Sequence, residues 1–209
     1  MNRKGKSLPA AERRALSVQS VLQLAAARNP SDITTEAVAA KMGLTQAALF
    51  RHFPTKDVLW QEVLQWATTK LFAAIEEAAA AASSPLDALE RIYRTHIAFV
   101  AEHPGVPRVL FAELQNPVGT EARKIVRGML ARYSALLEGI ISEGIVKGEI
   151  YPAVDAGTAA TMFIGTLQGQ VMQAMITGDN SALPEQAGKS FRLLRRALEC
   201  RKDRESKKG

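Results

Sequence analysis

The feature that most constrains this chain is its punctuation. Asn29-Pro30, Gly43, Pro54, Ser83-Ser84-Pro85, His103-Pro104, Asn116-Pro117, Gly148 and Gly178 interrupt stretches dominated by Ala, Leu, Glu, Arg and Gln, the good helix formers. A residue before proline is pushed out of the α region, and a proline inside a helix has no N–H to give, so helices end at such points. β-branched residues are scattered, and no apolar–polar alternation lasts long enough to build a strand. The pattern predicts an all-α protein of about nine helices.

The expected helices run from near Pro9 to Arg28, from Thr35 to Met42, from Gln46 to His52, from after Thr55 through Ala82, and from Pro85 to Glu102 behind a Ser84 cap. A short helix then ends near Gln115, a long one spans Gly119 to Lys147, one capped by Asp155 reaches Thr177, and the last opens at Pro184 and ends near Arg201. Leu16, Leu22 and Ala26 are among the inward positions expected for the first helix.

Charge is distributed unevenly along this framework. Residues 1–60 hold nine Lys or Arg against four Asp or Glu, whereas residues 61–191 hold ten against fourteen. A basic head on an acidic body points to a polyanion as the partner of the head. The last eighteen residues are basic again, but a frayed charged terminus is commonly just solvated. No apolar run reaches the ~18 residues of a membrane span, and the basic N-terminus leads into no apolar signal core. The single cysteine, Cys200, allows neither an internal disulfide nor a cysteine metal cage. A reducing, cytoplasmic setting among nucleoid DNA is the expectation, with no membrane partner.

The informative segment is Ile33–Lys56, ITTEAVAAKMGLTQAALFRHFPTK. Two short helices joined by Gly43-Leu44-Thr45 have the spacing of a helix-turn-helix. Val38 and Met42 face inward, Ala39 is small enough for the helices to cross closely, and Gly43 supplies the positive φ of the turn. Leu44 is expected to plug the core beneath the turn, and Thr45 to cap the second helix. Leu49 and Phe53, four apart, share its buried face. That leaves Gln46, Ala47, Ala48, Phe50, Arg51 and His52 exposed. A helix of this kind fits the major groove, where a Gln46 amide can pair bidentately with adenine and the small Ala47 and Ala48 admit close approach. Thr34, Thr35, His52 and Lys56 are expected phosphate partners. Lys56 opposes the dipole at its own helix start, and a nearby phosphate would relieve that.

In order and spacing this segment resembles the N-terminal pattern of the TetR family of transcriptional regulators. The shared pattern is a threonine opening the second helix, Ala39, a glycine turn, Leu49-Phe50-Arg51-His52-Phe53, then Pro54-Thr55-Lys56 opening a long helix. The detailed likeness covers residues 10–66. It implies that Gln46, Ala47 and Arg51 read bases and that Phe50, His52 and Lys56 hold the phosphate backbone. Two departures are visible: Phe50 stands where the family usually has a tyrosine, and Ala47-Ala48 removes a hydroxyl.

The resemblance further implies a DNA-binding domain over 1–56 with a flexible basic start at 1–8, a regulatory and dimerisation domain over 57–201, and a disordered tail at 202–209. It implies a homodimer bound to double-stranded operator DNA and a small hydrophobic or amphipathic effector that releases it. Helices 155–177 and 184–200 would pair across the dimer, through the small or flexible Met162, Gly165, Gly169, Met172 and Ala174 and the stripe Phe191, Leu194 and Leu198. The middle helices are rich in large residues, among them Trp60, Trp66, Phe72, Tyr93, Phe99, Phe111, Met129, Tyr133 and Phe163. Apolar stripes are most often plain core, but the family often encloses an effector cavity here. His96, Gln115, Tyr133 and Gln168 would orient a ligand beside Phe99, Phe111, Met129 and Phe163.

Two other function classes can be set against this one. An enzyme lacks support, because there is no phosphate loop, no metal-spaced set and no nucleophile beside a base; His52, His96 and His103 lie apart. No cofactor is expected. A nucleoid-occlusion branch of the same family, binding chromosomal sites and a cell-division protein, is the alternative, and Gln46-Ala47-Ala48-Leu49 resembles it.

Overall fold

A computed structural model describes residues 10–116 and 119–200, the side chains of Ala10 and Ala11 excepted. The expectations for residues 1–8 and 202–209 lie outside the described residues. Among these there are nine α-helices, one 3-10 turn (Pro30–Asp32) and no strand. The helices are α1 (Ala10–Ala27), α2 (Thr35–Lys41), α3 (Gln46–Phe50), α4 (Lys56–Ala80), α5 (Pro85–Glu102), α6 (Gly105–Glu113), α7 (Glu121–Val146), α8 (Ala156–Thr177) and α9 (Leu183–Leu198).

They form two compact units. The first takes the chain up to Thr68 together with His103–Val126, and the second takes Thr69–Glu102 and everything from Arg127. The unit that holds the helix-turn-helix is therefore larger than the 1–56 expected, because α6 packs on α1. At the start of α6 the two backbones nearly touch: a Cβ on Gly105 would lie 2.2 Å from the carbonyl oxygen of Leu22. Only glycine permits that approach.

In the first unit α1 buries Val18, Val21, Leu22 and Ala25, an i, i+3, i+4, i+7 stripe. Leu16, expected inside, lies off this stripe and is 47% exposed. The Ser17 hydroxyl, buried on the same helix, donates to Arg13 O at 2.9 Å and lies 3.3 Å from the Met42 sulfur, which brings α1 against the end of α2. Ile33, Val38, Ala39, Leu49, Phe53, Leu59 and Val63 are buried in the same unit.

In the second unit each of α5, α8 and α9 carries its own buried stripe: Leu89, Ile92, Tyr93, Ile97 and Val100; Ala160, Phe163, Leu167, Val171 and Ala174; Ala187, Phe191, Leu194 and Leu198. Asp155 caps α8 as expected, its carboxylate accepting from the Thr158 N–H at 2.7 Å, and Gly178 ends it with φ +72°. The loop after α7 works as a clasp. Tyr151 N donates to Leu198 O and Cys200 N to Glu149 O, pinning the end of α9. The Glu149 carboxylate also accepts from Leu86 N at the start of α5.

Candidate nucleic-acid interface

The helix-turn-helix is built by three threonine hydroxyls and one glycine. Thr34 Oγ1 accepts from Ala37 N at 3.1 Å and caps α2. Gly43, at φ +66°, turns the chain, and Leu44 N closes the turn onto Ala39 O at 2.9 Å. Thr45 Oγ1 accepts from Ala48 N at 3.2 Å and caps α3. Each cap is worth about 1 kcal/mol to a helix this short. The third hydroxyl, on Thr35, is the acceptor of a 3.0 Å bond from Gln46 Nε2 and joins the first residue of α2 to the first of α3.

Leu49 and Phe53 anchor α3 from below, each about 1% exposed. Gln46, Ala47, Phe50 and Arg51 stand in solvent, with Ala48 and His52 half-buried. Leu44 departs from its expected role: it is 37% exposed, and the turn is closed by backbone hydrogen bonds while Val38, Ala39, Leu49 and Phe53 fill the interior. α3 itself stops at Phe50, two residues early, and Arg51 and His52 form a turn.

Lys56 begins α4, as expected, but its ammonium folds back. Nζ donates to Ser31 O at 2.8 Å and lies 5.4 Å from the centre of the Trp60 ring. Partial burial pulls its pKa below the ordinary lysine range, against the raising influence of Asp32 and Asp57. Sequence reasoning missed this tether, because the 3-10 turn that presents Ser31 O carries no periodic signal.

Two family models match the chain. "Bacterial regulatory proteins, tetR family" covers residues 21–63, and "Tetracyclin repressor-like, C-terminal domain" covers residues 82–172. The chain belongs to the TetR family.

The nucleoid occlusion factor SlmA of Marinomonas sp. (strain MWYL1) is 26% identical over 77% of this chain and 81% of its own length. SlmA of Vibrio cholerae is 24% identical over 74% and 78%. Among solved structures, the fatty acid degradation regulator FadR from Bacillus halodurans superposes with a TM-score of 0.80, at 20% identity, over 94% of this chain and 100% of the other. FadR from Bacillus subtilis, solved in complex with stearoyl-CoA, gives 0.77 at 19% over 88% and 99%. These structures share the all-α TetR fold.

In the second unit the structure brings together only some of the residues expected around an effector. His96, Tyr133 and Phe163 meet in an aromatic cluster with Phe72, Tyr93 and Phe191. Tyr133 touches three of the rings at centroid distances of 5.5–6.4 Å. His96 Nδ1 lies 3.1 Å from the Tyr133 hydroxyl. Burial lowers the His96 pKa to about 4, so the ring is neutral at physiological pH. Burial also raises the Tyr133 phenol beyond the ordinary tyrosine range and Tyr93 to about 12. Tyr93 Oη donates to Gln170 Oε1 at 3.1 Å, and the Gln170 amide also bonds Ser190. Phe99 is buried and Met129 half-buried in the same unit. Phe111, half-buried, and Gln115, exposed, belong to the first unit instead, and Gln168 points to solvent on α8.

The expected pairing surface also divides. Met162, Gly165, Gly169 and Met172 are exposed and form one stripe of α8 that continues to Ile176, 77% exposed. Ala174 is buried instead. Phe191, Leu194 and Leu198, expected on the same surface, are turned into the subunit's own core, where Phe191 packs 5.7 Å from Tyr93. The large apolar side chain that α9 exposes is Leu193, 67% exposed. The i, i+3, i+7 spacing identified an apolar face of α9 but not which partner it meets. Among the described residues no group of His, Cys, Asp or Glu is placed to hold a metal ion, and no helix is long and apolar enough to cross a membrane.

Proposed function

We propose that this TetR-family DNA-binding regulator acts as a homodimer on a pseudo-palindromic operator and is released by a small hydrophobic or amphipathic effector. The observation that carries the DNA-reading part is the N-terminal edge of α3. Gln46 and Ala47 stand exposed side by side, while Leu49 and Phe53 lock the helix from below. Gln46 and Arg51 read bases, Ala47 and Ala48 admit the backbone, and Thr34, His52 and Phe50 meet the phosphates and sugars. Lys56 joins them once it leaves Ser31 O. Two such heads on a symmetric dimer would sit about 34–36 Å apart, one turn of DNA.

The exposed stripe Met162–Gly165–Gly169–Met172–Ile176, with Leu193, supports dimerisation through α8 and α9. At Gly165 and Gly169 there is open space where a second helix could approach. The effector would act in the second unit, near His96, Phe99, Met129, Tyr133 and Phe163, and shift α4, which begins at Lys56 beside the recognition helix. It must bind the released state more tightly than the DNA-bound one, or it shifts nothing. FadR of Bacillus subtilis with stearoyl-CoA illustrates the kind of ligand this fold accepts.

A second reading, nucleoid occlusion with a cell-division protein as partner, is favoured by the similarity to SlmA. One experiment separates the two. Purified protein is mixed with sheared genomic DNA at physiological salt, and the bound fragments are sequenced. A few promoter fragments sharing a pseudo-palindrome support the regulator. Many dispersed chromosomal sites support the second reading. Binding only at low salt, without sequence preference, overturns both.

A further inference from the structure

Of the two adjacent threonines that open α2, Thr34 has a structural task, since its hydroxyl caps the helix. Thr35 does not cap. Its oxygen instead accepts from the Gln46 side-chain amide across the turn, 3.0 Å away. We infer that Thr35 is a positioning residue for base recognition: it orients the Gln46 amide toward the groove and satisfies the one N–H that an adenine cannot take. This rests on the reading of Gln46 as a base reader.

The argument is an inventory of donors and acceptors. A glutamine amide carries two N–H donors and one carbonyl oxygen. Bidentate pairing with adenine uses the oxygen, for the exocyclic amine, and one N–H, for the ring nitrogen N7. The second N–H is left over. In free protein it would simply face water, but in a closed groove water is excluded and an unpaired donor is costly. Thr35 Oγ1 takes that donor before DNA arrives.

Two further effects follow from the same bond. Gln46 is exposed, and a free glutamine of this kind loses appreciable rotamer freedom when it is fixed on a base. A side chain already held by Thr35 has less to lose. In the observed arrangement the amide nitrogen faces Thr35 and the oxygen points away from it. Thymine, which offers an acceptor where adenine offers its amine, meets the wrong group. Thr35 thereby contributes to choosing the base without touching it.

The test is selection from a random-sequence double-stranded DNA library with wild-type protein, Gln46→Ala, Thr35→Val, Thr35→Ser and the double variant. Relative affinities are then measured on the selected site and on the same site with the adenine replaced. Wild type should prefer one adenine in each half-site, and Gln46→Ala should lose that preference. Thr35→Val should keep the rest of the motif and lose about 2- to 10-fold in discrimination at that adenine, the weight of one modest hydrogen bond. Thr35→Ser, which keeps the hydroxyl, should restore it. Adding Thr35→Val to Gln46→Ala should change discrimination no further.

The proposal is overturned if Thr35→Val discriminates as wild type does. It is equally overturned if that variant weakens all sequences alike, which is the mark of a phosphate contact, or if Gln46→Ala leaves the motif intact. Unchanged thermal unfolding of Thr35→Val identifies a loss of discrimination as local. A wild-type protein that selects no sequence at all overturns the functional reading itself, an outcome distinct from the others.

Discussion

In the unit that carries the helix-turn-helix, Gln46, Phe50 and Arg51 stand in solvent, and the bonds around α3 are short-range: two caps, a turn and one threonine–glutamine link, with the Lys56–Ser31 tether reaching further. In the other unit Tyr93, His96 and Tyr133 are drawn into an aromatic cluster and find their partners across long stretches of chain. The first arrangement leaves polar side chains open to a polar ligand. The second keeps polar groups uncharged inside a packed interior, where an apolar molecule would have to displace rings to enter. The contrast teaches that polar residues among apolar ones mean different things in the two places. In the head they stand on the surface, and in the body they are first of all part of the core.

Three measurements press on that contrast. The largest effect belongs to the body. Phe163→Ala removes a ring that is 1% exposed and packs against both Tyr93 and Tyr133. It should cost about 3–5 kcal/mol in urea unfolding. A cost under about 1 kcal/mol would mean that the cluster is loose enough to be an open cavity, and the distinction between the units would fail.

Next is the pH dependence of the body. Folded His96 has a pKa of about 4, below the ordinary 6.5. Between those values the unfolded chain takes up a proton that the folded chain refuses. Stability should therefore fall as pH drops from about 6.5, levelling off below about 4, by on the order of 2 kcal/mol after allowance for residual solvent contact. His96→Gln should flatten that part of the stability–pH curve; an unchanged slope would place the proton uptake elsewhere.

The smallest effect belongs to the head. Thr34→Ala deletes the α2 cap and should cost about 1 kcal/mol in thermal unfolding. A much larger loss would show the head to be as tightly coupled as the body.

Local chemistry explains what could be read in the sequence. Gly43, Thr45, Asp155 and Gly178 act within a few residues of themselves, so their roles as turn, cap and stop were legible, as was the Leu49–Phe53 face. The resemblance carried by residues 10–66 added the family and its DNA-binding character. What escaped depended on partners far along the chain. Lys56 is satisfied by Ser31, Phe191 faces Tyr93, Glu149 holds the start of α5, and Leu16 is left outside a stripe that begins at Val18. An apolar spacing identifies a face but not what that face meets. The stripe Phe191, Leu194, Leu198 could therefore be assigned to a dimer when its rings and branches belong to the subunit's own interior.

The close approach of Gly105 to Leu22 bears on how such proteins can be recombined. The linear boundary after Lys56 looks like a natural seam for grafting one head onto another body. Yet α6, encoded some fifty residues later, lies against α1 with no room for even a methyl group between the backbones. A chimera cut at the seam would set a foreign α6 against a native α1. The transferable cassette is discontinuous in the gene: the first 68 residues must travel with 103–126, and position 105 must remain glycine wherever they go.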